Sequence, residues 1–375
     1  MTDKKLALLG IAAVILAGAA ILQSRLMQRA GSNTIFQSSP LIQGLALDAI
    51  AGVTITSEKG AAVLTLKKAG DKFVVADKDG YPADVSKINT LLNNCLDIRT
   101  TEKTTSDPAN HADLGVTDAT ARYGVRFLNA DGKEITGVLI SENQSDRQEG
   151  AYARLTTSDE TYFIQSSPWL STKAMEFINS TLITADRAKM RKVTVKGPNE
   201  EYQLTVSEAG GAVTLEKMPA EKQFKETTYQ SVFGAVSSLQ FDDVRAAENT
   251  PEGLVFDRSF ICQMEDTTVY EIALAQKGDK TYMKVSADFL DKAPVEKERR
   301  VESADELKVK ESKLLASDAV KAFNAQHKGW VYEIASSKAK NLTTPLEELL
   351  EDKPAPVAEA KAEPTAPVTA DPNTL

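Results

Sequence analysis

Apolar and polar residues alternate along three short segments near the start of the chain, and this alternation predicts β-strands at 52–57, 62–68 and 72–76. Gly70-Asp71 lies between the second and third segments and fits a hairpin turn. Asp84 then has the residue type of a helix N-cap. The positions after it recur at three- and four-residue spacing: Val85, Ile88, Leu91, Leu92 and Cys95. We expect a helix with this apolar face against the sheet.

A second group of alternating segments follows at 123–128, 135–140, 152–155 and 161–164. Asp131-Gly132 separates the first two of these segments, and an Asp-Gly pair between strands is a strong hairpin signal. Ser167 and Pro168 have the residue types preferred at the first positions of a helix. The sequence therefore predicts a further helix that continues through Phe177 and Ile178.

The pattern of residues 53–99 returns in the segment 193–239. Three short stretches correspond, namely Val53-Thr-Ile to Val193-Thr-Val, Leu64-Thr-Leu to Leu204-Thr-Val, and the later Tyr152-Ala-Arg-Leu to Tyr282-Met-Lys-Val. Because turns, helix stripe and strand order agree together, the sequence predicts two tandem copies of one unit. We expect these domains at 50–180 and 186–345, each a mainly antiparallel β-sheet with a packed helix, which makes the fold class α+β.

The first 30 residues differ in character from the two predicted domains. An uncharged apolar run follows Lys4-Lys5 and predicts a transmembrane helix at the short end of the usual span length. Its apolar positions are Leu6, Leu8, Ile11, Val14, Ile15, Leu16, Ile21 and Leu22. A cleaved signal peptide is the alternative, because Ala17-Gly-Ala-Ala offers small residues of the required kind. With an anchor, we expect a single-pass protein with most of the chain outside the cytoplasm.

The last part of the chain combines a charged helix with a low-complexity tail. Residues 296–326 are charged, with apolar residues at loose helical spacing, and predict a partly exposed helix. Trp330-Val-Tyr-Glu-Ile predicts a closing strand, and Leu346–Leu350 a short helix. From 353 to 375 Pro and Ala dominate without apolar periodicity, which predicts a disordered C-terminal tail.

Charge and residue usage narrow the function classes. The formal net charge of −9 argues against nucleic acid as a partner, because nucleic-acid binding relies on Lys and Arg neutralising phosphates. Cys95 and Cys262 both lie in apolar patterns and are expected to be buried without a disulfide. His111 and His327 stand in polar surroundings, without other residues at metal-ligand spacing, and are expected at the surface. We therefore expect no catalytic residues, no metal and no cofactor.

Aromatic and basic residues near predicted strand ends are the candidates for contact with a partner. They are Tyr81, Tyr152, Arg154, Trp169, Trp330 and Tyr332. Each also has a purely structural interpretation: Tyr81 precedes Pro82 at a helix entry, and the two tryptophans suit a domain core.

A family resemblance rests on five stretches of the sequence. They are Leu64-Thr-Leu-Lys-Lys, Tyr81-Pro-Ala-Asp, Leu114-Gly115-Val116, Asp131-Gly132-Lys133 and Tyr152-Ala-Arg-Leu. The chain resembles the bacterial domain-of-unknown-function family 4340. The resemblance implies an auxiliary component of an ABC transport system of the gliding-motility (GldG) type, without known catalytic residues. Together with the predicted anchor, it implies a single-pass protein of the bacterial inner membrane with most of the chain in the periplasm.

Three functions follow as hypotheses. The first is a non-enzymatic binding or scaffold protein in the periplasm, which would accompany an ABC transporter or other envelope proteins. The second is an envelope hydrolase, which would require a cleft with converging carboxylates or a nucleophile. The third is a purely structural envelope protein.

Overall fold

The computed structural model describes residues 38–57, 60–143, 150–206, 208, 211–296 and 302–353. The chain divides into two compact units, one up to Asn179 and one from Ser180 onward. Both units combine mainly antiparallel sheets with helices, so the α+β class predicted from the sequence is confirmed.

The first unit is built on one large antiparallel sheet. Its strands are β1 (Ser39–Pro40), β2 (Gly52–Ser57), β3 (Ala62–Ala69), β4 (Lys72–Val75), β5 (Tyr81–Pro82), β6 (Arg99–Thr100), β7 (Glu102–Thr105), β8 (Tyr123–Leu128), β9 (Glu134–Ile140), β10 (Ala151–Leu155) and β11 (Thr161–Ile164). The sheet order is β5-β4-β3-β2-β8-β9-β10-β11-β7, while β1 pairs separately with β6. The predicted turns Gly70-Asp71 and Asp131-Gly132 lie between β3 and β4 and between β8 and β9.

Helix α1 (Val85–Leu96) forms where the apolar stripe predicts it. The Asp84 carboxylate accepts a hydrogen bond from the Ser86 amide at 2.8 Å, which satisfies one of the donors that a helix start leaves open. The Ser86 hydroxyl also donates to the Asp84 carboxylate at 2.7 Å, and this bond, together with that of the amide, lowers the pKa of Asp84. Ile88, Leu91 and Cys95 are buried, whereas Val85 is exposed. The helix therefore packs against the core of the first unit through an apolar face that begins one turn after the start of the helix.

The second unit repeats this plan. Its strands are β12 (Thr181–Ile183), β13 (Met190–Lys196), β14 (Glu201–Thr205), β15 (Thr214–Leu215), β16 (Lys222–Phe224), β17 (Leu239–Gln240), β18 (Asp243–Ala246), β19 (Arg258–Met264), β20 (Thr268–Lys277), β21 (Lys280–Phe289), β22 (Trp330–Ile334) and β23 (Leu350–Asp352). Its helices are α2 (Glu226–Phe233), α3 (Ala304–His327), α4 (Ser336–Thr343) and α5 (Leu346–Leu349). The large sheet has the order β15-β14-β13-β19-β20-β21-β22-β18.

The two large sheets share one topology. In each, an N-terminal hairpin pairs with a later meander, and a strand that follows the helix returns to the far edge. The register of the last hairpin also matches, because Ala153 pairs with Tyr162 in the first unit and Met283 pairs with Tyr332 in the second. The stretches Val53-Thr-Ile and Val193-Thr-Val thus lie on equivalent strands, β2 and β13.

The units differ most in the connection of this last hairpin. Residues 156–160 join β10 to β11, whereas residues 290–329 join β21 to β22 and contain α3. The helix α3 therefore lies in the connection between β21 and β22. The equivalent connection of the first unit, between β10 and β11, is a short turn. This difference creates the candidate site described below.

Three predictions need correction or fall outside the structure. The N-terminal transmembrane helix of the predicted fold class is wrong here: within the described part of 38–353, no helix is long and apolar enough to cross a membrane. The run from Leu6 to Leu22 and the tail 354–375 lie outside the described residues. The helix predicted after Ser167 is also wrong, since the chain there forms only a 3-10 turn at Ala174–Phe177. Phe177 and Ile178 are nevertheless buried, so their apolar character serves the core without a helix.

Candidate functional site

An aromatic cluster fixes the C-terminal half of α3 on the sheet of the second unit. The ring of Tyr270 on β20 meets Phe323 edge-on at 5.5 Å, and Phe323 lies 4.4 Å from the His327 ring. Ala316 and Val320 continue the same helix face toward Ala287 and Phe289 on β21. Because these helix positions are three and four residues apart, one face of α3 is buried over about three turns.

The Asn324 side chain joins α3 to the edge of β21. Its Oδ1 accepts a hydrogen bond from the Ala287 amide at 2.9 Å, and its Nδ2 donates to the Ala287 carbonyl at 2.7 Å. A neighbouring strand would form the same pair of bonds with Ala287. The Asn324 side chain thus replaces the backbone of an adjacent strand at one position of β21, Ala287.

A cleft opens between this contact and the start of β22. It encloses about 680 Å³, and its wall combines the β21 edge with the C-terminal turn of α3 and the turn at Gly329. Its lining includes Val285, Ala325 and Trp330 as apolar groups. The volume is in the range of small-ligand sites. Six lining residues have polar or charged side chains, namely Glu271, Lys284, Ser286, Asn324, His327 and Lys328.

Charged side chains at the cleft are mainly basic. Lys284 and Lys328 line it together with one carboxylate, Glu271, and all three residues are exposed. The Lys284 ammonium also lies 4.5 Å from the centre of the Phe256 ring, a cation–π contact that directs this side chain. An acidic group at the cleft would therefore find more positive than negative charge around it.

His327 lies beside the cleft as a buried, neutral side chain. It is 4 % exposed, and its Nδ1 is 2.6 Å from the Tyr332 hydroxyl. Burial lowers the pKa of His327 to about 4, so the imidazole is uncharged at neutral pH. The expectation of a surface histidine is wrong here and also for His111, which is 5 % exposed and bonds the Asp159 carbonyl at 2.9 Å.

The sequence candidates of the first unit do not gather in one site. Tyr81 is 3 % exposed, and Tyr152 packs edge-on against Phe163 at 5.8 Å. Arg154 donates to three backbone carbonyls, those of Val116 at 3.0 Å, Leu155 at 3.2 Å and Ser158 at 2.9 Å. These bonds hold the turn 156–160 in place.

Trp169 is the candidate of the first unit that presents its ring to solvent. Its exposed fraction is 72 %, although its backbone carbonyl accepts a hydrogen bond from Asn94 on α1 at 3.0 Å. Exposed aromatic residues are enriched at protein–protein interfaces, so Trp169 remains a candidate for contact with a partner.

Trp330 and Tyr332 of the second unit lie together on β22, with different roles. Tyr332 is fully buried and supports His327, while half-buried Trp330 lines the cleft. The remaining predicted positions, Leu6 to Leu22 of the anchor, lie outside the described residues.

The two cysteines are free and buried, as their apolar patterns predict. Burial raises the pKa of both thiols to about 12, which leaves them protonated and weakly nucleophilic. Within the described residues, no group of three or more His, Cys, Asp or Glu side chains could hold a metal ion.

A second feature of α3 is its solvent-facing side. Three leucines, spaced at seven and eight residues and so on one helix face, form the outer leucine patch: Leu307, Leu314 and Leu315. Their exposed fractions are 53 %, 51 % and 63 %. The capping box of Ser303 and Glu306 starts the helix, and Lys313 pairs with Asp291 at 2.7 Å to hold this half to its linker. The sequence could have predicted this patch, because α3 has more apolar residues than one buried helix face requires.

Fold and cleft together define an α+β protein of two units with one sheet topology, the second of which contains the helix α3 and the cleft. Residues 74–255 match the model of the family described as domain of unknown function DUF4340, which confirms the resemblance to that family over this part of the chain. No curated protein and no solved structure matched the chain. The matched residues end before β19, so α3 and nearly all of the cleft lie beyond them.

Proposed function

We propose that this protein acts by contact, as a binding component without turnover chemistry, and that its main contact surface is on α3. The outer leucine patch carries the proposal. Three large apolar side chains on one exposed helix face are costly in water and typical of a surface that another protein covers. The first unit has no counterpart of this helix in its short turn 156–160.

The chemistry of the described side chains supports a non-enzymatic role. Both thiols are protonated and buried, and His327 is neutral and engaged with Tyr332. Catalysis would require converging groups with pKa values near the working pH, in reach of a substrate. A binding role makes no such demand.

We extend the proposal to the partner on the basis of the sequence resemblance. Family resemblance to auxiliary components favours a subunit of an ABC transport system in the bacterial envelope. The acidic net charge of −9 is in keeping with protein rather than nucleic-acid partners.

Site-specific photo-crosslinking tests this proposal. A photoreactive residue at Leu314 is compared with one at Ser312, which is exposed on the same helix but about 160° around its axis. We expect an adduct with a transport subunit from position 314 and little from position 312. Equal labelling from both positions, or adducts only with structural cell-envelope proteins, would contradict the proposed role.

A further inference from the structure

The edge of β21 is open beside the cleft. Its ladder with β22 ends at the pair Met283 and Tyr332, and among the described residues no strand pairs with β21 on this side beyond that point. The ladder with β20, on the other side, continues without a register shift to Phe289. Residues 284–286 therefore form a strand with one paired and one open side.

The Asn324 contact shows which backbone groups face this open side. Both backbone groups of Ala287 point toward Asn324 and away from β20. Backbone groups on one strand alternate in direction with a period of two, so the N–H and C=O of Val285 point the same way, into the cleft. Val285 is 7 % exposed, and buried backbone groups of this kind are nearly always hydrogen-bonded.

We infer that the open β21 edge at Val285 binds an extended segment of a partner protein as one added short strand. The inference rests on the proposed binding function and deepens it. A residue of the added strand would donate its N–H to the Val285 carbonyl and accept the Val285 N–H, as in β-augmentation. The pair of bonds at Asn324 limits the added strand on one side, and the pairing of β21 with β22 at Met283 limits it on the other.

The walls of the cleft indicate the composition of that segment. Trp330 and Ala325 offer an apolar wall, which suits valine or another small apolar side chain. Lys284 and Lys328 outnumber Glu271, so an acidic residue next to the apolar one is favoured. The expected ligand is an extended peptide in which apolar and acidic residues alternate.

The test uses a fluorescent hexapeptide, acetyl-Ala-Val-Glu-Val-Asp-Ala-amide, and the full chain. Six analogues each carry one backbone N-methyl group, which removes a single N–H donor. We expect saturable binding of the parent peptide and about a tenfold loss of affinity for at least one analogue, because a bond to the Val285 carbonyl is lost. Hydrogen exchange should show that the parent peptide slows exchange of the Val285 amide.

A matched pair of variants locates the binding. Ala325→Trp fills the cleft from an exposed position of α3, while Ala322→Trp places the same side chain on the same helix away from the lining. We expect about a tenfold loss of affinity for the first variant only. Absence of binding, tolerance of every N-methyl group, or equal effects of both variants would overturn the inference. The crosslink at Leu314 does not involve the cleft, so its result judges the proposed function separately.

Discussion

His327 on α3 and Tyr332 on β22 share a buried hydrogen bond of 2.6 Å, and this bond ties the end of the inserted helix to the sheet. Protonation of His327 would place a charge in that apolar setting, next to Phe323. We therefore expect the attachment of α3 to depend on pH.

Acid should weaken the second unit through His327. Its pKa is about 4 in the folded chain and about 6.5 when unfolded, so the unfolded chain binds the proton more readily. Above pH 6.5 the group has no effect; as the pH falls from 6.5 to 4 it lowers the free energy of unfolding by on the order of 3 kcal/mol. Urea denaturation of the full chain at pH 7 and pH 4.5 measures this loss.

The matched variant for this experiment is His327→Gln, which keeps a hydrogen-bonding side chain but does not titrate. Carboxylates such as Asp288 and Asp291, whose pKa values neighbouring lysines lower, also lose stabilising interactions in acid. The difference in pH dependence of the unfolding free energy between the unsubstituted chain and His327→Gln gives the contribution of the histidine. Identical pH dependence of both would show that His327 is not the sensitive group.

Replacing Arg154 should affect stability more than binding. Arg154→Ala removes donors from three backbone carbonyls, and partly buried carbonyls left without partners cost about 1–3 kcal/mol in all. Hydrogen exchange of 151–164 should accelerate. Trp169→Ser, at an exposed position, should leave stability within about 0.5 kcal/mol. If Arg154→Ala left exchange unchanged but abolished partner capture, Arg154 would be a contact residue after all.

Gly137 on β9 should not tolerate a methyl group. A Cβ there would lie 2.7 Å from the Val125 carbonyl oxygen and 3.0 Å from the Thr156 side chain. We expect Gly137→Ala to destabilise the first unit by about 1–3 kcal/mol, because the backbone of β8 must move. Gly52→Ala is the control in the same sheet, where the nearest atoms are 3.4 Å away. Thermal unfolding with a similar loss in both variants would contradict the steric explanation.

Thiol reagents should react with Cys95 and Cys262 only after unfolding. Both side chains are fully buried, and burial raises their pKa to about 12. Alkylation of the native chain by iodoacetamide at pH 8, followed by mass spectrometry, should show little modification, while urea should expose both sites. Rapid alkylation of one cysteine in the native chain would identify an accessible thiolate there.

The sequence predicts elements well where local pattern and burial agree. Residues 72–76, with a turn before them, form β4 at Lys72–Val75, and Asp84 caps α1 because N-cap chemistry is local. The stretch after Ser167 has the residue types of a helix start, but tertiary packing of Phe177 and Ile178 overrides that preference.

The cleft was harder to predict from the sequence because it depends on tertiary structure. The cleft exists because β22 leaves β21 after Met283, and no local pattern encodes that point. Asn324 resembles any polar residue on a helix surface, although it replaces a strand partner. Burial of His327 did have a signal: Val320, Phe323 and His327 follow one another at helical spacing.

The long connection 290–329 also has a consequence for how the chain folds. β10 and β11 are neighbours in sequence, so their pairing closes a small loop and can form early. β22 must find β21 across a much longer loop, and each doubling of loop length costs about 0.6 kcal/mol of closure entropy. Formation and docking of α3 shorten that search. We therefore expect the second unit to complete its sheet after the first, and only once α3 has docked.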